Sequence, residues 1–495
     1  MNSRISSALP VVILILLGGF IFTLGIADNY TNIDEPYFTD PVVNYLNGNG
    51  YTTTSWRITG PTETHVSTAP AHSLALLLWL KLFGFSQAAV RSLSAALALG
   101  SALVFWRACR RAGLIHSAPA GIIVISLVLL DHGYAFSYSV GRPDALSALL
   151  AAALFYFSTL ANQRLALGLM GALAVLLPFV QWGLVMYLAV LSAALWLIDR
   201  KRTWKYILVV GAGMALGLLI QRVVYGQFGV WETWLNSVRS ERLDNVAKMI
   251  SSRPAWSTFL NRHSNTMPKD FSALVILAGM AFLYVRSRRR RRPEGVLLAR
   301  SAWIIVVTVT LGMFFIGKFP TYYGWMLMLP LAAILGHGFD RFRSAGGGEA
   351  RLIVGITLLA GGVGLPLEVI VASHDWNDRQ PAAITAWLGP KIGPDDVVYC
   401  DYPFYYVAKP RAKQVFTSFY FNRMSPEEYH RLTLVIISQY RSYWKPERYA
   451  LTNALETGRW QPARAGWLGN SFQYGILSPP NYGCTVYRLK APNKP

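Results

Sequence analysis

Charge is scarce in this chain. Of its 495 residues only 14% are Asp, Glu, Lys or Arg, whereas 53% are hydrophobic. Soluble globular domains carry about 25% charged residues, so an ordinary cytosolic enzyme is excluded. Cysteine is scarcer still: Cys109, Cys400 and Cys484 are the three present. That is too few for a disulfide framework or a cysteine-rich metal site, although Cys400 and Cys484 could pair on an oxidising side. Recognisable soluble-enzyme motifs are missing as well. There is no Walker loop, no His-Glu-x-x-His, no Gly-x-Ser-x-Gly and no Rossmann fingerprint. Gly (41) and Pro (26) are near average usage, which excludes collagen and low-complexity disorder.

What the chain does have is long apolar runs, many of about 17 to 22 residues, each enough to cross a hydrocarbon core of ~30 Å. The first runs from Leu9 to Ala27; without a small-residue cleavage site and with many runs following, it reads as a span and not a signal peptide. Further spans fall near 88–106, 114–131, 143–160, 165–180, 182–198, 206–223, 271–285, 297–317, 321–339 and 351–371, which makes eleven. Leu74–Phe83 is too short and contains Lys81, so it reads as an interfacial amphipathic helix.

The net charge of +21 fits this reading, because the basic residues collect in short loops. With the N-terminus in the cytoplasm, the loops at 107–111, 163–164, 199–202, 286–292 and 341–343 all fall on the inner face, as the positive-inside bias requires. Counting Leu74–Phe83 as a crossing would move them all outside. The expectation is therefore a polytopic α-helical protein of the cell (inner) membrane, residues 1–371. Its outer loops are 28–87 and 224–270. An extracytoplasmic domain, 372–495, follows. That tail changes character, with strand-like runs at 396–400, 414–417, 432–437 and 483–489 that predict a small α/β domain.

Two acidic positions fall at outer helix ends. Asp34-Glu35-Pro36 follows span 1 and Gly141-Arg142-Pro143-Asp144 opens span 4. Each suits a helix start, with Asp34 as N-cap and Pro near the first helical position. The parity of the spans also puts both carboxylates on one face, where one could act as a base and the other as an orienting partner or metal ligand. Asp131-His132 ends the preceding span as an interfacial boundary or a further ligand. Lys318 sits at an outer membrane end, against the positive-inside bias, and either snorkels to head groups or binds an anion such as a lipid phosphate. His65, His72 and Arg57 in the first loop are weaker candidates, as are Arg239, Arg242, His263 and Lys269 in the loop 224–270.

In this order the motifs resemble the GT-C glycosyltransferases, and more narrowly the branch containing protein O-mannosyltransferases and lipid A aminoarabinose transferases. The likeness covers about residues 1–340. It is carried by Asp34-Glu35, by Pro70 with Leu76 to Ser86 and Ala89-Val90-Arg91, by Gly141 to Leu146, and by Lys318 to Tyr323 with Leu329-Pro330. It implies a GT-C-like membrane domain that moves a sugar from a polyprenyl-phosphate donor to a hydroxyl acceptor on a cell-envelope lipid, glycan or protein. Asp34 would be the catalytic base, with Glu35 beside it. Asp144 would assist by orienting substrate or holding a divalent cation; metal ligands are not assigned, and no nucleotide cofactor or nucleic acid is expected. Lys318, Arg142, Tyr322 and Tyr323 would stabilise the departing lipid phosphate, with His65 and His72 as further substrate contacts. The chain departs from the aminoarabinose transferases at Ser67-Thr68-Ala69-Pro70, where they carry a basic residue before the proline.

A lipid-linked-sugar carrier or flippase without catalysis is the competing reading. Transporters place ionisable residues near the middle of their spans, whereas these acids sit at helix ends. An assembly factor using the outer domain is a third.

Overall fold

The computed structural model describes residues 3–25, 34–55, 63–181, 185–196, 200–238, 271–314, 321–345, 348–373, 376, 381–417, 424–438, 460–463 and 483–489. Helices dominate. Among the described residues seven are long and apolar enough to cross a membrane, or eight if Ala118–Leu130 and His132–Ser139, which meet at 57°, form one broken span. The remaining apolar stretches predicted as spans are also helical, as Asp144–Ser158, Val185–Trp196 and Trp325–Ser344. Pro70–Phe83 is a helix of 14 residues, below the length of a span.

The chain divides into two compact units. The first takes its described residues from Met1–Ile26, Thr68–His72 and Arg91–Leu367. At its centre Trp325–Ser344 is buried almost all round, as expected of a helix that is apolar on every face. It packs against Ala118–Leu130, Pro293–Phe314 and Gly348–Gly362. Gly336 allows one of these approaches, since a Cβ there would lie 2.9 Å from Val124 and 3.3 Å from the Ala120 carbonyl. Helices Gln163–Val180 and Arg200–Gln227 pack through Gly213 and Gly217, a Gly-x-x-x-Gly pair; a Cβ on either would strike the backbone carbonyl of Gly171 or Val175. Small residues at that spacing are how apolar helices approach closely in lipid.

The second unit takes its described residues from Ala27–Ser67, Ser73–Val90 and Glu368–Pro495, so the first outer loop, apart from Thr68–His72, shares one body with the tail. Its sheet has the order β2-β1-β3-β5-β4, with β1 Val397–Cys400, β2 Gln414–Thr417, β3 Leu434–Ser438, β4 Trp460–Ala463 and β5 Cys484–Leu489. β1 is parallel to β2 and β3, while β5 is antiparallel to β3 and β4. Sequence reading found every strand but β4. That strand contains Pro462, which reads against a strand and is tolerated because β4 is at the edge. Val398, Cys400, Phe404, Val415, Leu434, Ile436 and Val486 form its main core.

The sheet also decides the cysteine question. Cys400 is in register with Ile436 and Cys484 with Ser438, on opposite sides of β3. Two strand spacings, about 9.5 Å, separate them, beyond the reach of a disulfide. Both thiols are free and buried.

Candidate active site

In the first unit, a turn between two helices builds a polar cluster. His132–Ser139 ends at Val140, Gly141 takes φ 64°, and Asp144–Ser158 begins after Pro143. The left-handed Gly141 reverses the chain without steric penalty, and Ser94 Oγ donates to the Arg142 carbonyl at 3.1 Å, which fixes the turn. Arg142 and Asp144 are both buried. Arg142 Nε donates to Asp144 Oδ2 at 2.9 Å, and the guanidinium carbon lies 3.6 Å from the centroid of the Tyr322 ring. Asp144 also lies in the first turn of its helix, where the backbone amides favour a negative charge.

Gln181, in extended backbone just past Gln163–Val180, ties the cluster together. Its Nε2 donates to the Tyr323 hydroxyl at 3.0 Å and stands 3.5 Å from Asp144 Oδ1, while its Oε1 accepts from Ser147 Oγ at 3.0 Å. The rings of Tyr322 and Tyr323 meet edge to face at 4.7 Å. A guanidinium held by a carboxylate on one side and an aromatic face on the other is fixed in its plane. His72, in the first turn of Pro70–Phe83, is buried beside the Gly141 backbone, and that burial presses its imidazole down to about 4.

The second unit carries the other acidic segment. Asp34 and Glu35 form the first turn of Asp34–Leu46, with Asp34 half-buried and Glu35 fully buried. Asp34 is thus the first helical residue, one position inside the expected N-cap. Further along, Asp40 is buried and ion-paired with Lys409 at 2.5 Å. It accepts hydrogen bonds from the Tyr405 hydroxyl (3.0 Å), the Thr53 hydroxyl (2.9 Å) and the Thr54 amide (2.9 Å). Burial alone would raise its carboxyl, but the Lys409 charge and these donors hold it below the usual carboxylate range. His65 is buried edge-on to Tyr37 and tilted against Tyr51, and its burial pushes the imidazole down to about 4 against the opposing pull of Asp40.

The same unit explains why loop and tail belong together. Thr54 Oγ1 donates to the Val415 carbonyl, the Thr417 amide donates to the Thr54 carbonyl at 3.3 Å, and Thr417 Oγ1 donates to the Ser55 carbonyl at 2.9 Å. The segment 53–55 therefore lies along β2 at the carboxyl end of the parallel strands, the end where open α/β sheets usually take ligands. Here the chain's own first loop occupies it.

No protein-family model matches the chain, and no curated protein matches it either. Solved structures do. ArnT from Cupriavidus metallidurans, crystallised bound to undecaprenyl phosphate, is similar at a TM-score of 0.51 and 14% identity, over 96% of this chain and 97% of that one. The chain has the GT-C fold. An Archaeoglobus fulgidus oligosaccharyltransferase (TM-score 0.48, 10% identity, 88% of this chain and 70% of that one) is a weaker likeness. So is the mycobacterial arabinofuranosyltransferase AftD (TM-score 0.47, 14% identity, all of this chain and 40% of that one).

Within this GT-C fold, four residues singled out from sequence, Arg142, Asp144, Tyr322 and Tyr323, form one cluster. Asp34, Glu35 and His65 belong to the second unit and His72 to the first. Lys318 lies outside the described residues, as do Arg57, Arg239, Arg242, His263 and Lys269. Asp131 is a helix cap, accepting from the Tyr134 amide at 2.8 Å in the break between the two bent helices. Sequence reading missed Gln181, Asp40, Lys409 and Tyr405. Gln181 did leave a signal, as a lone polar residue in the apolar run 174–191. Among the described residues no three His, Cys, Asp or Glu side chains converge as a metal site would need, and the roles derived for them are those of side chains.

Proposed function

We propose that the chain is an integral-membrane glycosyltransferase. It moves a sugar from a polyprenyl-phosphate donor to a hydroxyl acceptor of the cell envelope, on the extracytoplasmic face, with the N-terminus in the cytoplasm and the tail domain outside. The observation that carries this reading is the buried Arg142–Asp144–Gln181–Tyr323 cluster, with Arg142 stacked on Tyr322, in a GT-C fold. The neighbour ArnT was crystallised bound to undecaprenyl phosphate, a ligand whose phosphate suits such a cluster.

In this mechanism the acceptor oxygen attacks the anomeric carbon from the face opposite the leaving phosphate, with inversion. The bond from that carbon to the phosphate oxygen breaks, and its electron pair leaves on the polyprenyl phosphate. The acceptor's proton passes to the Asp34 carboxylate, with Glu35 adjoining it. Arg142, the Tyr322 and Tyr323 hydroxyls and Lys318 stabilise the charge that develops on the phosphate. Asp144 orients Arg142 through Nε, and His65 and His72 would each be further substrate contacts.

The test uses purified protein in detergent, a panel of polyprenyl-phosphate sugars and cell-envelope extract as acceptor, with release of free polyprenyl phosphate as the readout. Release that is lost in Asp34→Asn, with melting behaviour unchanged, supports the reading. Release that persists in Asp34→Asn moves the base elsewhere. Donors that bind but stay intact with every acceptor favour the carrier reading.

A further inference from the structure

A strong concentration of like charge lies in the first unit, well away in sequence from the cluster around Arg142. Residues 286–292 read Arg-Ser-Arg-Arg-Arg-Arg-Arg. They join helix Phe271–Arg289 to helix Pro293–Phe314, both of which contain stretches able to cross a membrane. The turn between two such helices sits at a bilayer face whichever way the chain is inserted.

A loop that served only to set topology would need charge and no particular geometry. This one is built. Glu349, in the first turn of Gly348–Gly362 and fully buried, pairs with Arg292 at 3.0 Å, Arg286 at 3.5 Å and Arg290 at 3.6 Å. A Cβ on Gly348 would stand 3.0 Å from the Arg286 guanidinium, so that position suits glycine. Three guanidiniums offer roughly fifteen N–H donors and one carboxylate about four acceptor sites, which leaves most donors directed at something else. Arg288, Arg289 and Arg291 are exposed and enter no ion pair among the described residues. Glu294 is the one acid beside them in sequence.

The backbone adds a second observation. The Arg292 amide donates to the Ser287 carbonyl at 2.8 Å and the Arg291 amide to the Arg288 carbonyl at 3.2 Å, the two bonds of a Schellman helix end. The residue in the left-handed position of that motif is usually glycine. Here it is Arg291, at φ 52°. The chain keeps a guanidinium where the backbone favours a residue without a Cβ.

We propose that this turn is a headgroup site for an anionic phospholipid, with Glu349 setting the planes of Arg286, Arg290 and Arg292 and the exposed arginines closing on the phosphodiester. Clusters of four to eight basic residues at the end of a spanning helix attract anionic lipid, and the bilayer supplies that ligand where the turn lies. The site is independent of the glycosyl-transfer reading.

The test reconstitutes the full-length protein with phosphatidylglycerol and phosphatidylcholine in equal amounts and measures the lipid retained, by native mass spectrometry. Wild type should retain phosphatidylglycerol preferentially. The triple variant Arg288→Gln, Arg289→Gln, Arg291→Gln alters exposed side chains outside the Glu349 pairs and should lose that preference by roughly a hundredfold. Arg291→Gly separates binding from folding: it relieves the left-handed position, so it should melt at the same temperature or higher yet retain less phosphatidylglycerol. Equal retention of both lipids by wild type, or unchanged preference in both variants, would overturn the proposal. So would complete displacement of the lipid by inorganic phosphate, which would make the site one for a free anion.

Discussion

Asp40 and Lys409, from opposite ends of the chain, form a buried ion pair at 2.5 Å. Asp40 belongs to the helix whose first turn carries Asp34 and Glu35, and Lys409 follows the short helix Tyr405–Ala408 of the tail. Lys409 Nζ also donates to Asn44 Oδ1 at 2.6 Å, one helical turn beyond Asp40. The tail thus grips the acidic helix at two successive turns on one face. Asp34 lies six residues before Asp40, or about 9 Å along the axis, so whatever fixes Asp40 also fixes the direction of Asp34.

Breaking this pair from one side leaves a buried charge without its partner, which typically costs about 3–5 kcal/mol. Asp40→Asn and Lys409→Met should each lower the melting temperature in detergent. The double variant should be more stable than the sum of the two losses implies. Strict additivity in a double-mutant cycle would show that the two groups do not couple.

His65 makes stability depend on pH. Its imidazole titrates near 4 when folded and at its ordinary value of 6.5 when unfolded. Between those values the unfolded chain binds a proton that the folded one excludes, so stability falls as pH drops from 6.5 to 4 and levels off below. The full effect is about 3 kcal/mol at most. His65→Phe should flatten that part of the profile relative to wild type, leaving the contribution of His72, which is also held near 4. A profile unchanged by the substitution would show that His65 is already protonated or solvated in the fold.

Much of this architecture was legible because hydropathy is a local signal. The apolar runs became helices, and strand-like runs at 396–400, 414–417 and 483–489 became strands within one residue of those bounds. Arg142 and Asp144 were legible for the same reason, being two residues apart. The pairing of Asp40 with Lys409 and Tyr405 was not, because no local pattern links residues so distant in the chain. Nor does hydropathy reveal the 57° bend at Asp131, where the chain breaks to cap a new helix inside one apolar run. The separation of Cys400 from Cys484 depends on strand order, which spacing alone does not give.

Those two cysteines make a separate prediction. Both face the sheet core, and burial pushes the Cys484 thiol up to about 12 and the Cys400 thiol well above its ordinary value. The thiolate is the reactive form, so neither should react with iodoacetamide at pH 8 until the protein is unfolded. Non-reducing peptide mapping should show no linkage between them. Labelling of the folded protein at either position would mean that the sheet opens under native conditions.

Arg142 tests whether the polar cluster works as one device. Lysine keeps the charge, but it cannot donate from a planar Nε to Asp144 and lie flat on Tyr322 at the same time. Arg142→Lys should therefore fold and yet release polyprenyl phosphate roughly thirtyfold more slowly, since a desolvated cation–π contact is worth about 2 kcal/mol. Asp144→Asn keeps the shape but frees the guanidinium to rotate, and should slow release by a similar factor. If Asp144 acts through Arg142, combining Asp144→Asn with Arg142→Lys should be little worse than either change alone, because residues that act as a unit are not additive. Multiplied losses in the double variant would give Asp144 a role of its own in contact with the substrate.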